Sequence, residues 1–180
     1  MKSATVPAEL RYLGAAMAFA ACGALSAALF LRFPDWPEHQ GPVGGLVFPL
    51  PFALLCTLSF MRARRALLIV PAMVLAWLAA NAVAAQIYGS YGVTRPYLVA
   101  CMGGVVGGFI VTLSASIGRL RLLWPQYPIA GCAIGGLSAV PIAFYLQSFP
   151  PHPLHLYLAL ASWQAAMGTY LYAIWINEAR

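Results

Sequence analysis

The sequence predicts an all-α membrane protein, a single domain over residues 1–180 that forms a bundle of six transmembrane helices. Hydrophobic residues make up 62% of the 180 residues and charged residues only 8%, whereas soluble domains average roughly 45–50% apolar and about 25% charged. The apolar residues gather in six segments, each close to the ~20 residues that a helix needs to cross a bilayer. Short connections rich in Pro, Gly or Arg separate these segments, which predicts antiparallel neighbours in one bundle.

The first three spans are predicted from long apolar runs. Span 1, residues 10–31, follows a basic start and stays apolar as far as Leu31. Its residues 19–22 loosely resemble a lipoprotein processing site, but the run continues past them, which favours a retained span over a cleaved signal. Span 2, residues 44–61, and span 3, residues 66–88, contain prolines that remove helical hydrogen bonds and favour kinks.

The last three spans include the glycine-rich part of the chain. Span 4, residues 97–118, carries two pairs of adjacent glycines, and span 5, residues 129–147, carries three glycines and Pro141. Span 6, residues 155–176, follows Pro153, and proline is favoured at the first position of a helix. We therefore expect close helix contacts on spans 4 and 5 and a kink within span 5.

The basic residues predict the orientation of the bundle, because Lys and Arg in short loops stay on the cytoplasmic side. Of the ten basic residues, only Arg32 and Arg95 fall on one predicted side. The eight on the other side are Lys2, Arg11, Arg62, Arg64, Arg65, Arg119, Arg121 and Arg180. The sequence thus predicts a bacterial-type inner (plasma) membrane protein with both termini in the cytoplasm.

The two halves of the chain contain three short matches, in the same order and at offsets of 88, 91 and 86 residues. They pair Trp36 and Pro37 with Trp124 and Pro125, residues 44–46 with 135–137, and residues 76–80 with 162–166. A duplicated unit of three spans would insert in opposite orientations and give a 3+3 inverted repeat, as in many secondary transporters. Matches among abundant Gly, Trp and Ala also arise by chance, so both interpretations stay open.

Glycines four residues apart predict where helices pack, because each such pair opens one helix face to a neighbouring backbone. Three pairs follow this spacing, and they combine Gly103 with Gly107, Gly104 with Gly108, and Gly131 with Gly135. Packing between helices is the preferred interpretation. Helices that slide past one another, or that line a path with backbone, would need the same smooth faces.

A small neutral set of side chains is predicted to bind a substrate within the membrane. It comprises Trp77, Asn81, Gln147, Trp163, Gln164 and Tyr170. Aromatic walls with a few amides would suit a neutral or weakly polar molecule, or a cation held over aromatic faces. The ordinary alternative is that these side chains satisfy one another between helices.

Asp, Glu, Lys and Arg are missing from the middle of every predicted span, and such residues inside a membrane mark proton relays and ion paths. This argues against a carboxylate-driven proton pump, a di-metal carboxylate enzyme and a voltage sensor. The sequence contains neither H-E-x-x-H nor G-x-S-x-G. We therefore predict that the protein is not an enzyme and has no cofactor.

The remaining candidate ligands give no specific site. His39, His152 and His155 all map to the predicted outer side, where zinc or copper capture is chemically open but nothing fixes the first loop against the last. No metal site is predicted. The four cysteines lie in apolar segments without C-x-x-C spacing and are expected to be small core residues. The bases at span ends favour the lipid bilayer as partner and argue against nucleic acid.

Two hypotheses for function follow from these features. The first is a small-solute transport or substrate-binding membrane component, favoured by kinked glycine-rich helices, the suspected repeat and the neutral aromatic and amide set. The alternative is a non-catalytic accessory or assembly subunit whose glycine faces dock other membrane subunits or a second copy of the chain. The sequence identifies neither a substrate nor an energy source.

Overall fold

The computed structural model describes residues 7–32, 47, 50, 63–91, 94–117, 124–148 and 152–177, and across these residues it contains helices and no β-strand. The all-α prediction is confirmed. The helices are α1 (Ala8–Arg32), α2 (Ala63–Tyr91), α3 (Pro96–Ala115), α4 (Gln126–Ser138), α5 (Val140–Gln147) and α6 (Pro153–Asn177).

Within the described ranges, four stretches are long and apolar enough to cross a membrane: Ala8–Arg32, Leu68–Ser90, Pro96–Ala115 and Gln126–Gln147. They correspond to predicted spans 1, 3, 4 and 5, and they indicate membrane association. Predicted span 2 lies outside the described residues apart from positions 47 and 50. Span 6 corresponds to the 25-residue α6, which falls short of the hydropathy of the other four because amide, hydroxyl and aromatic side chains interrupt its apolar residues.

Contacts near the helix ends show how the helices run. Where α1 begins, the rings of Tyr12 and Tyr172 lie 6.2 Å apart, so α6 ends there; we call this the Tyr12 end of the bundle. At the opposite end, which we call the Phe30 end, the rings of Tyr97 and Phe144 lie 6.1 Å apart, so α3 begins where α5 finishes. Thus α1 is antiparallel to α6, and α3 is antiparallel to α5.

The contact between α1 and α6 depends on two glycines. A Cβ at Gly23 would overlap the carbonyl of Leu160, and a Cβ at Gly168 would overlap the ring of Phe19. Phe19 is fully buried, and it forms the main core cluster together with residues of α2, α3 and α6 that include Ile69 and Met167. Gly168 thus makes room on α6 for a large core side chain, and Gly23 lets the backbones of α1 and α6 come close.

Glycines also bring the backbones of α3 and α4 together. A Cβ at Gly104 would overlap the carbonyl oxygen of Gly135, and a Cβ at Gly108 would overlap that of Gly131. The buried hydroxyl of Thr112 continues this row and donates a 2.7 Å hydrogen bond to the carbonyl oxygen of Gly108. We call this backbone contact the glycine seam.

The predicted span 5 is broken at Ala139, between α4 and α5. Pro141 has no N–H to continue the helical ladder, and the N–H of Ile142 donates to the carbonyl of Ala139, 2.8 Å away, one residue short of its α-helical acceptor. The carbonyl of Ser138 is thereby left for another donor. The hydroxyl of Ser162 on α6 supplies one at 3.3 Å and is also 3.0 Å from the carbonyl of Ala159.

Candidate binding cavity

A cavity of about 330 Å³ lies between α2 and the rest of the bundle. Residues of α1, α2, α3, α5 and α6 line it, and none of α4 does. Its volume is at the lower end of the range of about 300–1,000 Å³ that is usual for ligand pockets. The cavity is therefore large enough for a small organic molecule.

The wall formed by α2 and α3 depends on small residues. A Cβ at Gly103 would lie 3.2 Å from the Cβ of Ala84, and a Cβ at Gly107 would lie 3.4 Å from the Cβ of Ala80. The same Cβ at Gly107 would also lie 3.1 Å from Cζ2 of Trp163. Since Gly103 and Gly107 have no side chains, the two helices pack closely and the indole of Trp163 lies against the backbone of α3.

The side chains that give the cavity its chemical character are aromatic rings and one amide. They belong to Phe30, Trp77, Asn81, Tyr88, Tyr145 and Trp163. The side-chain nitrogen of Asn81 donates a 2.8 Å hydrogen bond to the carbonyl of Trp77 in the preceding turn. The structure thus brings three of the six predicted substrate-binding residues, Trp77, Asn81 and Trp163, to one cavity.

The other three predicted residues lie elsewhere. Gln147 is exposed at the end of α5 and does not line the cavity. Gln164 is fully buried, and its side-chain nitrogen donates to the hydroxyl of Ser26 on α1, 2.9 Å away. Tyr170 donates a 2.7 Å hydrogen bond to the carbonyl of Tyr127 near the Tyr12 end. Helical spacing indicates which residues share a face, but it does not identify the neighbour that the face meets.

Phe30, Tyr88 and Tyr145 line the cavity but were not predicted as ligand residues. A signal for Tyr88 was present in the sequence, because it is seven residues beyond Asn81 and therefore on the same face of α2. Tyr145 is two residues before Gln147, which places it on a different face of α5 from the residue that was predicted. The sequence offered no comparable indication for Phe30.

The predicted glycine pairs divide between two interfaces. Gly104, Gly108, Gly131 and Gly135 form the glycine seam between α3 and α4. Gly103 and Gly107 meet alanines of α2 and border the cavity. Each described glycine pair therefore contacts a helix of the same chain.

The outer histidines form a pair in the structure. The ring centroids of His152 and His155 lie 5.5 Å apart, and the N–H of Leu154 lies 3.3 Å from Nδ1 of His152. Nδ1 of His155 is 3.3 Å from the hydroxyl of Ser148. His39 lies outside the described residues. Among the residues that the structure describes, no three His, Cys, Asp or Glu side chains are grouped as a metal site would require.

Cys22, Cys101 and Cys132 are free thiols on three different helices, and Cys56 lies outside the described part of the chain.

Comparison with known proteins gives no match, since no family model, no curated protein and no solved structure is detectably similar to this chain.

Proposed function

We propose that this protein is a small-solute transport or substrate-binding component of a bacterial-type inner membrane. The observation that carries the proposal is the cavity of about 330 Å³ whose wall includes Trp77, Asn81 and Trp163. A concave, mostly apolar site with a few polar groups is the usual form of a ligand pocket. Protein interiors are close-packed with few voids larger than a water molecule, so a space of this size among the described helices supports a binding role.

The proposal includes six membrane crossings, and the direction of the helices supports it. Gly107 meets Ala80 and Gly103 meets Ala84, so α2 is antiparallel to α3 and ends at the Phe30 end. Because α1 also ends there, α1 and α2 run in the same direction. An odd number of crossings between them, such as the predicted span 2, would account for this.

A 3+3 inverted repeat remains part of the proposal. In such a repeat, span 1 (α1) corresponds to span 4 (α3), and span 6 (α6) corresponds to span 3 (α2). The contact between α1 and α6 would therefore be equivalent to the contact between α3 and α2, and glycines provide close contacts in both. The matched residues Trp77 and Trp163 line the same cavity. Inverted-repeat transporters place their substrate near the bilayer midplane between the two repeats, which fits a cavity bordered by both halves.

For orientation, we propose that the Tyr12 end faces the cytoplasm, so that both termini lie inside. Arg11 is at that end, while Arg32 and Arg95 are at the Phe30 end, and the excess of bases over the whole sequence favours the Tyr12 end as cytoplasmic. The cavity residues Tyr88 and Tyr145 then lie towards the outer side.

The alternative role as an accessory subunit loses its motivating feature. It required glycine faces that dock other proteins, but the glycine pairs contact helices of this chain. Association with other subunits or with a second copy stays a prediction, and so does the expectation that the protein is not an enzyme.

Native mass spectrometry of the purified protein tests the proposed function. We expect wild-type protein to retain a small molecule from the expressing cell, and Gly107→Leu, which fills the cavity beside Trp163, to lose it. Gly14→Leu is the matched control, because a Cβ at Gly14 has nothing within 4 Å. Wild-type protein that carries no small molecule, or retention that is unchanged in Gly107→Leu, would contradict the proposal.

A further inference from the structure

The distribution of polar atoms around the cavity points to one class of ligand, and this inference rests on the proposed function. We propose that the cavity binds an uncharged, mostly apolar molecule that carries a hydrogen-bonding group at one end. Its apolar body lies against the closed part of the cavity, and its polar group lies towards the tyrosines at the Phe30 end.

The closed part of the cavity is apolar. Met73, Ala76 and Val111 line it, and their exposed fractions are 1%, 0% and 2%. They belong to the first half of α2 and the second half of α3, which lie towards the Tyr12 end. Burial of apolar surface gives roughly 25 cal/mol per Å², whereas an unpaired polar group here would lose its hydrogen bonds to water. This part therefore favours a hydrocarbon or aromatic body.

The polar atoms lie further along the cavity. Tyr88 and Tyr145 are close to the ends of α2 and α5, and Tyr88 is 40% exposed. Their hydroxyls, like the amide oxygen of Asn81, have no hydrogen-bond partner among the described residues. These three groups are therefore available to a hydroxyl, carbonyl or amide of the ligand.

The lining also distinguishes an uncharged molecule from an ion. None of the described residues that line the cavity is Asp, Glu, Lys, Arg or His. Glu9, the single acidic residue in the described part of the chain, is on the first turn of α1 at the Tyr12 end. Aromatic faces attract a cation, but an ion removed from water also needs a charged partner or a full set of hydrogen bonds to offset the loss of hydration. Arg32 and Arg95 are at the Phe30 end but do not line the cavity, so no base in the part of the chain that the structure describes lies in the cavity wall to pair with an enclosed anion.

Three fluorinated probes that share one ring and differ in one group test this inference. They are 4-fluorobenzyl alcohol, 4-fluorobenzoate and 4-fluorobenzylammonium, followed by 19F NMR with the protein in lipid nanodiscs. Some of each probe dissolves in the lipid of the nanodisc. This contribution is removed by subtracting the 19F signal measured with the Gly107→Leu variant in the same nanodiscs. We expect the alcohol to bind at least about tenfold more tightly than either ion, a difference of about 1.4 kcal/mol.

The position of the polar group is tested with Tyr88→Phe and Tyr145→Phe. Each variant loses one hydroxyl. We therefore expect at least one of them to bind 4-fluorobenzyl alcohol about two- to tenfold more weakly, as the loss of one hydrogen bond implies. Neither variant should change the affinity of 4-fluorotoluene, which has the ring without the hydroxyl. If both variants lost the same affinity for 4-fluorobenzyl alcohol as for 4-fluorotoluene, or if neither lost affinity for the alcohol, the position assigned to the polar group of the ligand would be wrong.

Two further controls separate failure of the inference from failure of the proposed function. Ala85→Leu is a second occluding variant, because Ala85 lines the cavity on an exposed part of α2, and Gly14→Leu should bind like wild type. If a charged probe binds more tightly than the alcohol and both occluding variants abolish it, the inference is wrong and the proposed function stands. If neither occluding variant reduces the binding of any probe, and the wild-type protein retains no molecule from the cell, both the inference and the proposed function are wrong.

Discussion

The side-chain amide of Gln164 donates a hydrogen bond to the hydroxyl of Ser26 across 2.9 Å, and the two side chains are almost completely buried. This bond joins α6 to α1, which lie at opposite ends of the sequence. The hydroxyl of Ser26 donates in turn to the carbonyl of Cys22, 3.1 Å away. Gln164 is the most polar fully buried side chain of α6, and its contacts assign it to helix association.

We expect Ser26 and Gln164 to be energetically coupled. A double-mutant cycle with Ser26→Ala and Gln164→Leu should give a favourable coupling of about 0.6 kcal/mol, the average for hydrogen bonds between membrane helices. The measurement is the free energy of unfolding in mixed micelles. The cycle is needed because Gln164→Leu also removes a buried amide oxygen that has no hydrogen-bond partner among the described residues. Additive effects of the two changes would show that the bond contributes nothing.

Because of the glycine seam, we expect two Gly→Ala substitutions to change the stability of the protein in opposite directions. Gly108→Ala places a Cβ on the carbonyl of Gly131, so we expect a loss of stability of about 1–3 kcal/mol, as for other overpacked sites. Gly14→Ala meets nothing within 4 Å and should raise stability by up to about 1 kcal/mol through helix propensity. Unfolding of both variants by the same method checks this. A Gly108→Ala variant as stable as wild type would contradict the seam.

The break in span 5 predicts a role for a single hydroxyl. Ser162→Ala removes the side-chain donor to the carbonyl of Ser138, and we expect it to lower the free energy of unfolding by about 1 kcal/mol. Ser90→Ala is the control, since Ser90 is exposed and donates to the carbonyl of Gln86 within its own helix. Equal effects of the two substitutions would show that the contact across helices is unimportant.

The helix directions predict which positions react from the same side of the membrane. In a protein whose native cysteines are replaced, we expect Glu9→Cys and Gln126→Cys to react with an impermeant maleimide only from the cytoplasm. Leu154→Cys, at the Phe30 end, should react only from outside; all three positions are exposed. Labelling of positions 9 and 126 from opposite sides would contradict the arrangement of the helices, and labelling of all three from the reversed sides would contradict the orientation.

Much of the fold follows from local sequence. Span 1 was predicted at 10–31 and α1 is Ala8–Arg32, while span 4 was predicted at 97–118 and α3 is Pro96–Ala115. Length and hydropathy determine these elements within one chain segment. They do not determine α6 in the same way, because a helix surrounded by other helices accepts amide and hydroxyl groups that lower its hydropathy.

The cavity was predicted less completely, for a physical reason. Trp77 and Asn81 share a helix face, so their joint location could be inferred, but Gln164 and Tyr170 find partners on distant segments that no spacing reveals. Ala80 and Ala84 are four residues apart and form the small-residue face that meets Gly103 and Gly107. Alanine spacing on span 3, considered together with glycine spacing on span 4, would have identified this pair of helices.

The turn at Ala139 divides the candidate span Gln126–Gln147 into two arms of unequal length. The longer arm, the 13 residues of α4, is fixed against α3 by backbone contacts and has no part in the cavity wall. The shorter arm, the eight residues of α5, carries Ile142, Tyr145 and Leu146 into that wall. If the cavity binds a molecule as proposed, that molecule touches the stretch Gln126–Gln147 only through the short arm beyond the turn, and the backbone contacts between α3 and α4 take no part in binding.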